Sequence, residues 1–111
     1  MTVGPPEPSE LVYVHETALK VLQPPGVRWR EWRALRLPEI AAMDVDVARE
    51  ADMVVGFCLR EKVTHIVRLL YVRKRAHGFG IGNVLWQRAY GDERATGIGA
   101  WSDLARTGAA L

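Results

Sequence analysis

Cysteine is nearly absent from this 111-residue chain: Cys58 stands alone. A single thiol forms no internal disulfide, so the fold must come from a packed core, and a reducing compartment is expected. Long apolar runs are also missing. The longest, Met53 to Leu59 with its glycine, falls far short of the ~20 residues that span a bilayer, so no membrane partner is expected. The N-terminus Met1-Thr2-Val3-Gly4-Pro5-Pro6 lacks the cationic start and apolar stretch of a signal peptide. A cytoplasmic location is the corresponding expectation.

A strong charge of either sign is lacking too. Fifteen Lys and Arg against thirteen Asp and Glu leave +2, too little to call for a nucleic-acid partner. The distribution is more informative than the sum. Ten of the thirteen acids lie in residues 1 to 61, whereas Lys62 to Gly91 holds Lys62, Arg68, Arg73, Lys74, Arg75 and Arg88 and no carboxylate. An anionic ligand would choose that stretch. The histidines His15, His65 and His77 are far apart and lack metal-ligand spacing, so no metal is expected.

About half of the residues are apolar and a quarter charged, the balance of one globular domain. The prolines at 5, 6 and 8 make residues 1–9 read as a flexible arm, with a single domain over 10–111. Leu11 to Val14 suggests a short strand and Glu16 to Gln23 a helical turn or two. From Val27, Trp29, Trp32 and a leucine near 35 recur at helical spacing between arginines until Pro38 interferes. That pattern fits a core-facing stripe better than a nucleic-acid stacking surface.

Beyond Pro38, Val45 to Glu50 alternates like a strand, Ala51-Asp52 supplies a turn, and Met53 to Leu59 reads as a buried strand. Val63 to Val72 is a third strand, and Ile81, Val84, Leu85 and Ala89 mark one face of a helix ending before Gly91. A last helical turn is expected at Trp101 to Ala105. The fold class is α+β, a mainly antiparallel sheet with flanking helices.

The most telling stretch runs from Tyr71 to Asn83. A strand ends at Val72, the cations Arg73, Lys74 and Arg75 follow, glycines alternate at 78, 80 and 82, and a helix begins at once. Glycines let successive N–H groups converge, and a helix start adds unpaired donors and a positive dipole end. Such a loop suits a pyrophosphate. The dinucleotide fingerprint fails because Asn83 stands where its third glycine belongs, and no Gly-Lys-Ser/Thr run makes a P-loop.

Arg75-Ala76-His77-Gly78-Phe79-Gly80 resembles the Arg/Gln-x-x-Gly-x-Gly/Ala motif of the GNAT N-acetyltransferases. Val47 to Phe57 is similar to that family's second strand, turn and third strand, so residues 45–90 carry the resemblance. It implies a minimal GNAT-like acyl-CoA N-acyltransferase fold that moves an acetyl group from acetyl-CoA to an amine. By position, the amides of His77, Gly78, Phe79, Gly80, Ile81, Gly82 and Asn83 would hold the pyrophosphate, with charge from Lys74 and Arg75. The backbone of Leu70, Tyr71 and Val72 would pair with the pantetheine arm. The acceptor is not specified.

No general base stands out. His65, on the expected third strand, and Glu50, at the hairpin turn, are the candidates. Cys58, inside an apolar strand, reads as core filler. The family continues past this helix with another strand, a helix and a closing hairpin, whereas 21 residues follow Tyr90. The resemblance therefore implies a shortened fold, completed by a second subunit in a homodimer, or a non-catalytic module that binds a CoA ester or serves as an interaction surface.

Overall fold

The structure, a computed structural model, describes residues 1–90. The elements run β1 (Thr2–Gly4), α1 (Pro8–Leu22), α2 (Trp29–Ala41), β2 (Asp44–Glu50), β3 (Met53–Arg60), β4 (Val67–Val72), a 3-10 turn (Lys74–Ala76) and α3 (Ile81–Tyr90). The four strands lie in sequence order in one sheet, every pair antiparallel. This is the expected α+β class. The expected turn at Trp101 to Ala105 lies outside the described residues.

The proline-rich start is not a free arm. Thr2–Gly4 pairs with β2, and α1 opens at Pro8, whose missing N–H costs nothing in a first helical turn. One arginine holds this segment to the sheet. Arg49 of β2 donates from Nε to one oxygen of Glu10 at 2.6 Å, from a terminal nitrogen to the other at 2.6 Å, and to the Pro5 carbonyl at 2.7 Å. Glu10 also accepts from the Glu7 backbone N–H at 2.7 Å, tying off an orphan donor at the start of α1.

Leu11 to Val14 belongs to α1 rather than to a strand. Its β-branched content favours extension, but Val14, Ala18 and Leu19 are fully buried at helical spacing, and this burial outweighs local propensity. In α2 the helix continues through Pro38 to Ala41. Pro38 removes one helical hydrogen bond, and burial of Ile40 and Met43 just beyond holds the last turn in place. Trp29, Trp32 and Leu37 pack on the core, Leu35 faces solvent, and the Trp32 indole donates to the Leu19 carbonyl at 2.9 Å. The tryptophans thus form the core stripe.

The sheet carries a helical layer on each face. Phe57 meets Tyr13 of α1 edge-on on one face, and on the other α3 lies over β3 and β4 through Ile81, Leu85 and Ala89, all buried. Val84, expected on that stripe, is exposed. Gly56 sets how closely α3 approaches. A Cβ there would stand 2.8 Å from the Tyr71 carbonyl oxygen, 3.2 Å from Leu85 and 3.4 Å from Ile81.

The third strand starts later than expected, at Val67. Residues 61 to 66 form a hairpin turn closed by the Glu61 N–H to the Ile66 carbonyl (2.9 Å) and the His65 N–H to the Glu61 carbonyl (3.0 Å). His65 sits in this turn at φ 60°, not in the strand.

Both the Gly56 contact and the Arg49–Glu10 pair can be tested through stability. Gly56→Ala forces a methyl against backbone and should cost about 2 kcal/mol in urea unfolding; an unchanged midpoint would show that α3 is not seated there. Glu10→Gln should cost about 2 kcal/mol at pH 7. The hydrogen bond from Arg49 holds the Glu10 carboxyl below its ordinary 4.5, against the opposing effect of burial. Its stabilisation is therefore complete above pH 4.5 and is lost as pH falls through the lowered folded value. Wild type and variant should converge in acid; parallel curves would contradict the assignment.

Candidate functional site

The site is built where β4 ends. The Arg73 N–H reaches the Val55 carbonyl at 2.8 Å and extends the ladder one residue past β4. The chain then tightens into the 3-10 turn, with Ala76 N–H on the Arg73 carbonyl (2.8 Å) and His77 N–H on that of Lys74 (3.2 Å). Gly78 and Gly80 follow at φ 90° and 74°, values that residues with a Cβ adopt at a cost. A Cβ at either would meet nothing within 4 Å. These glycines are required for the sign of φ, and the hollow beside them is open.

Gly80 accepts the first helical bond, from Val84 N–H at 3.1 Å, so the amides of Ile81, Gly82 and Asn83 occupy the unpaired first turn of α3. The sequence reading places the His77 amide with them. The His77 amide is spent inside the 3-10 turn, so it does not join the cradle. Its ring instead turns back to the sheet, where Nε2 lies 2.8 Å from the Val72 carbonyl oxygen. Because a carbonyl oxygen only accepts, this contact requires a proton on Nε2.

That contact lies on the outer edge of β4, which has no strand neighbour among the described residues. Since Arg73 N–H points to β3, antiparallel alternation turns Tyr71 and Leu69 the same way. Leu70 and Val72 present their N–H and C=O groups outward. Of the three residues expected at this edge, Leu70 and Val72 are thus placed to pair with a ligand, whereas the Tyr71 backbone is committed to the sheet. Burial and the neighbouring Tyr13 raise the pKa of the Tyr71 hydroxyl, which stays protonated at neutral pH.

The cations around the loop have no acidic partner among the described residues. Lys74 and Arg75 are exposed and meet no carboxylate among the described residues. Arg73 lays its guanidinium over the Tyr13 ring at 4.7 Å, with Nε shielded from water and without a hydrogen-bond partner. Beside them opens a cavity of about 590 Å³, walled by Met53, Val55, Phe79 and Ile81, with Arg73 and Arg75 on one side and Glu50 on another. Phosphate ligands fit the unpaired donors and cations. Met53 and Val55 do not stand out in the sequence as site residues, because it is the sheet register that carries the β2–β3 hairpin to the loop.

The two candidate bases are separated. Glu50 stands at the rim of this cavity, more than half exposed, 3.5 Å from the N-terminal ammonium. His65 lies before the opposite end of β4, which is about 16 Å long over its five steps. A second cavity of about 380 Å³ opens near that end between α2 and β4, with Trp32, Arg36, Glu39, Ile66 and Arg68 among its walls. Cys58 is buried and its thiol is pushed up to about 12, chiefly by burial, so it is inert as a nucleophile. No group of three or more metal-ligating side chains occurs among the described residues.

No family model, curated protein or solved structure matches the chain.

Proposed function

We propose that this chain binds acetyl-CoA and transfers its acetyl group to an amine. One observation carries the reading: an edge of β4 with no strand neighbour among the described residues leads directly into a positive-φ glycine loop that opens on a helix start, beside cations without a carboxylate partner among those residues. The pyrophosphate would lie on the amides of Gly78 to Asn83, with Lys74 and Arg75 supplying charge. The outward groups of Leu70 and Val72 would pair with the pantetheine amides. His77 already donates to Val72, so the arm would share that carbonyl or displace the ring.

Strand length supports a position for the acyl group. A pantetheine arm matches about four residues of extended chain, roughly 13 Å, and β4 spans about 16 Å. From the loop the thioester would reach the Val67 end, beside the second cavity, where an acceptor amine has room between α2 and β4. His65 is near that end and Glu50 is not, so of the two candidates His65 is the better placed to take the ammonium proton, through a water. Glu39, the carboxylate on the cavity wall, would attract the ammonium. A second reading is binding without turnover, favoured by the pairing of Glu39 with Arg36 at 3.1 Å, which offsets the charge that would attract the ammonium.

The test is thermal stability with and without acetyl-CoA. A ligand at about 100 times its dissociation constant should stabilise by roughly 2.7 kcal/mol. The shift should vanish with S-acetylpantetheine, which lacks phosphate, and with Gly80→Glu, which blocks and repels the pyrophosphate. No shift at saturating acetyl-CoA would overturn the reading. Release of free CoA thiol with a panel of amines separates transfer from binding alone.

A further inference from the structure

The 380 Å³ hollow between α2 and β4 carries more charge than an amine needs. One carboxylate, Glu39, and two guanidiniums, Arg36 and Arg68, stand on its wall. Arg36 reaches Glu39 at 3.1 Å, and Arg68 meets Glu61 through Nε at 3.0 Å. A guanidinium carries more N–H donors than one such contact uses, so both keep donors for a ligand. Between these charges the wall is apolar: Ile40, Met43 and Val67 are buried, and Leu22 and Ile66 complete it. A ligand that suits this wall brings a cation for Glu39, an anion for the guanidiniums and a compact apolar body.

The geometry points to a free α-amino acid with an apolar side chain, such as leucine or methionine, as the acceptor. This rests on the reading that the hollow is the acceptor side of an acetyl transfer, and it names the class of amine. The zwitterion inserts into the Arg36–Glu39 pair. Its ammonium takes the Glu39 carboxylate, its carboxylate turns to Arg36 and Arg68, and its side chain lies on Ile40, Met43 and Val67. Opening an exposed pair costs little, and both partners are satisfied again. A lone amine does worse, since it takes Glu39 and strands Arg36, and a diamine adds a second cation facing two guanidiniums. Arg36 need not move. Its guanidinium lies 5.4 Å from the centre of the Trp32 ring, and the Trp32 indole is itself held by the Leu19 carbonyl at 2.9 Å, so the anion meets a donor already in place. In the transfer the ammonium gives up one proton and its nitrogen bonds to the thioester carbonyl carbon. The carbon–sulfur bond breaks, and a second proton from the nitrogen goes to the leaving thiolate. The N-acetyl product keeps the carboxylate and has no cation. Glu39 then returns to Arg36, which favours release.

Thiol release from acetyl-CoA by the full chain tests this with L-leucine, L-leucinamide, glycine and putrescine as acceptors, alongside thermal stability with each compound alone. The kcat/KM for leucine should exceed that for leucinamide and for putrescine by about tenfold, the worth of one hydrogen bond to a charged group. Glycine should fall behind by about tenfold for want of a side chain to bury. Arg68→Gln should bring leucine and leucinamide within about threefold of each other, and Glu39→Gln should raise KM for leucine about tenfold. Both side chains are about half exposed, so neither change should unfold the chain. Leucinamide or putrescine used as well as leucine would overturn the amino-acid acceptor and leave acetyl transfer standing. Stabilisation by leucine but not by leucinamide, with no thiol release from any acceptor, would keep the site and remove the transfer. Neither binding nor turnover of leucine would overturn the proposal whatever acetyl-CoA does.

Discussion

The close approach of α3 to the sheet at Gly56 is the constraint on which the rest of the site depends. A hydrogen at that position lets Leu85 and Ile81 sit directly over β3. If the helix stood further out, Ile81 at its start would move away from the sheet. The loop itself could not compensate. Between Val72 and Ile81 the chain makes a 3-10 turn and two residues of positive φ, a path with little slack. Packing in the core thus fixes the geometry of a surface loop several residues away.

The second organising feature is where charge is left unspent. Arg33, Arg49, Arg68 and Arg88 each meet a carboxylate, and these pairs bind α1 to α2, α1 to β2, the hairpin turn to β4, and α3 to β2. The cations at 73 to 75 have no such partner among the described residues. Arg28 and Arg30 at the start of α2 are likewise without one there, but no glycine loop accompanies them. Unpaired charge alone means a solvated surface. Unpaired charge beside a helix start and an apolar hollow is the combination on which the proposed donor binding rests.

Much of this was legible in the sequence because its signals are local. The alternation in Val45 to Glu50, the Ala51-Asp52 turn and the strand-loop-helix at 71–90 need only neighbours to be read. What the sequence hid depends on partners far away. Pro5 and Pro8 look like an arm until Arg49, some forty residues on, grips Pro5 and Glu10. Leu11 to Val14 looks extended until the sheet offers a face for Val14, Ala18 and Leu19. Val63 to Ile66 has strand composition, yet Glu61 and Thr64 close a turn over it. The cavity wall was invisible for the same reason: Met53 and Val55 reach the loop only through the register of β2, β3 and β4.

The direction of β4 also bears on the proposed chemistry. In the proposed reading a donor anchored at the glycine loop runs its acyl arm toward the Val67 end of β4. Glu50, read from sequence as a base, lies at the loop end of the sheet, away from where the proposed transfer would occur. His65 and Glu39 lie toward the other end, one shielded in a turn, with Nδ1 inaccessible and unpartnered, the other paired with Arg36. The proposed binding end would thus be well built and the transfer end lightly equipped. Under this reading affinity for the donor comes from the loop and its cavity, and the rate of transfer depends on how an acceptor rearranges the Arg36–Glu39 pair.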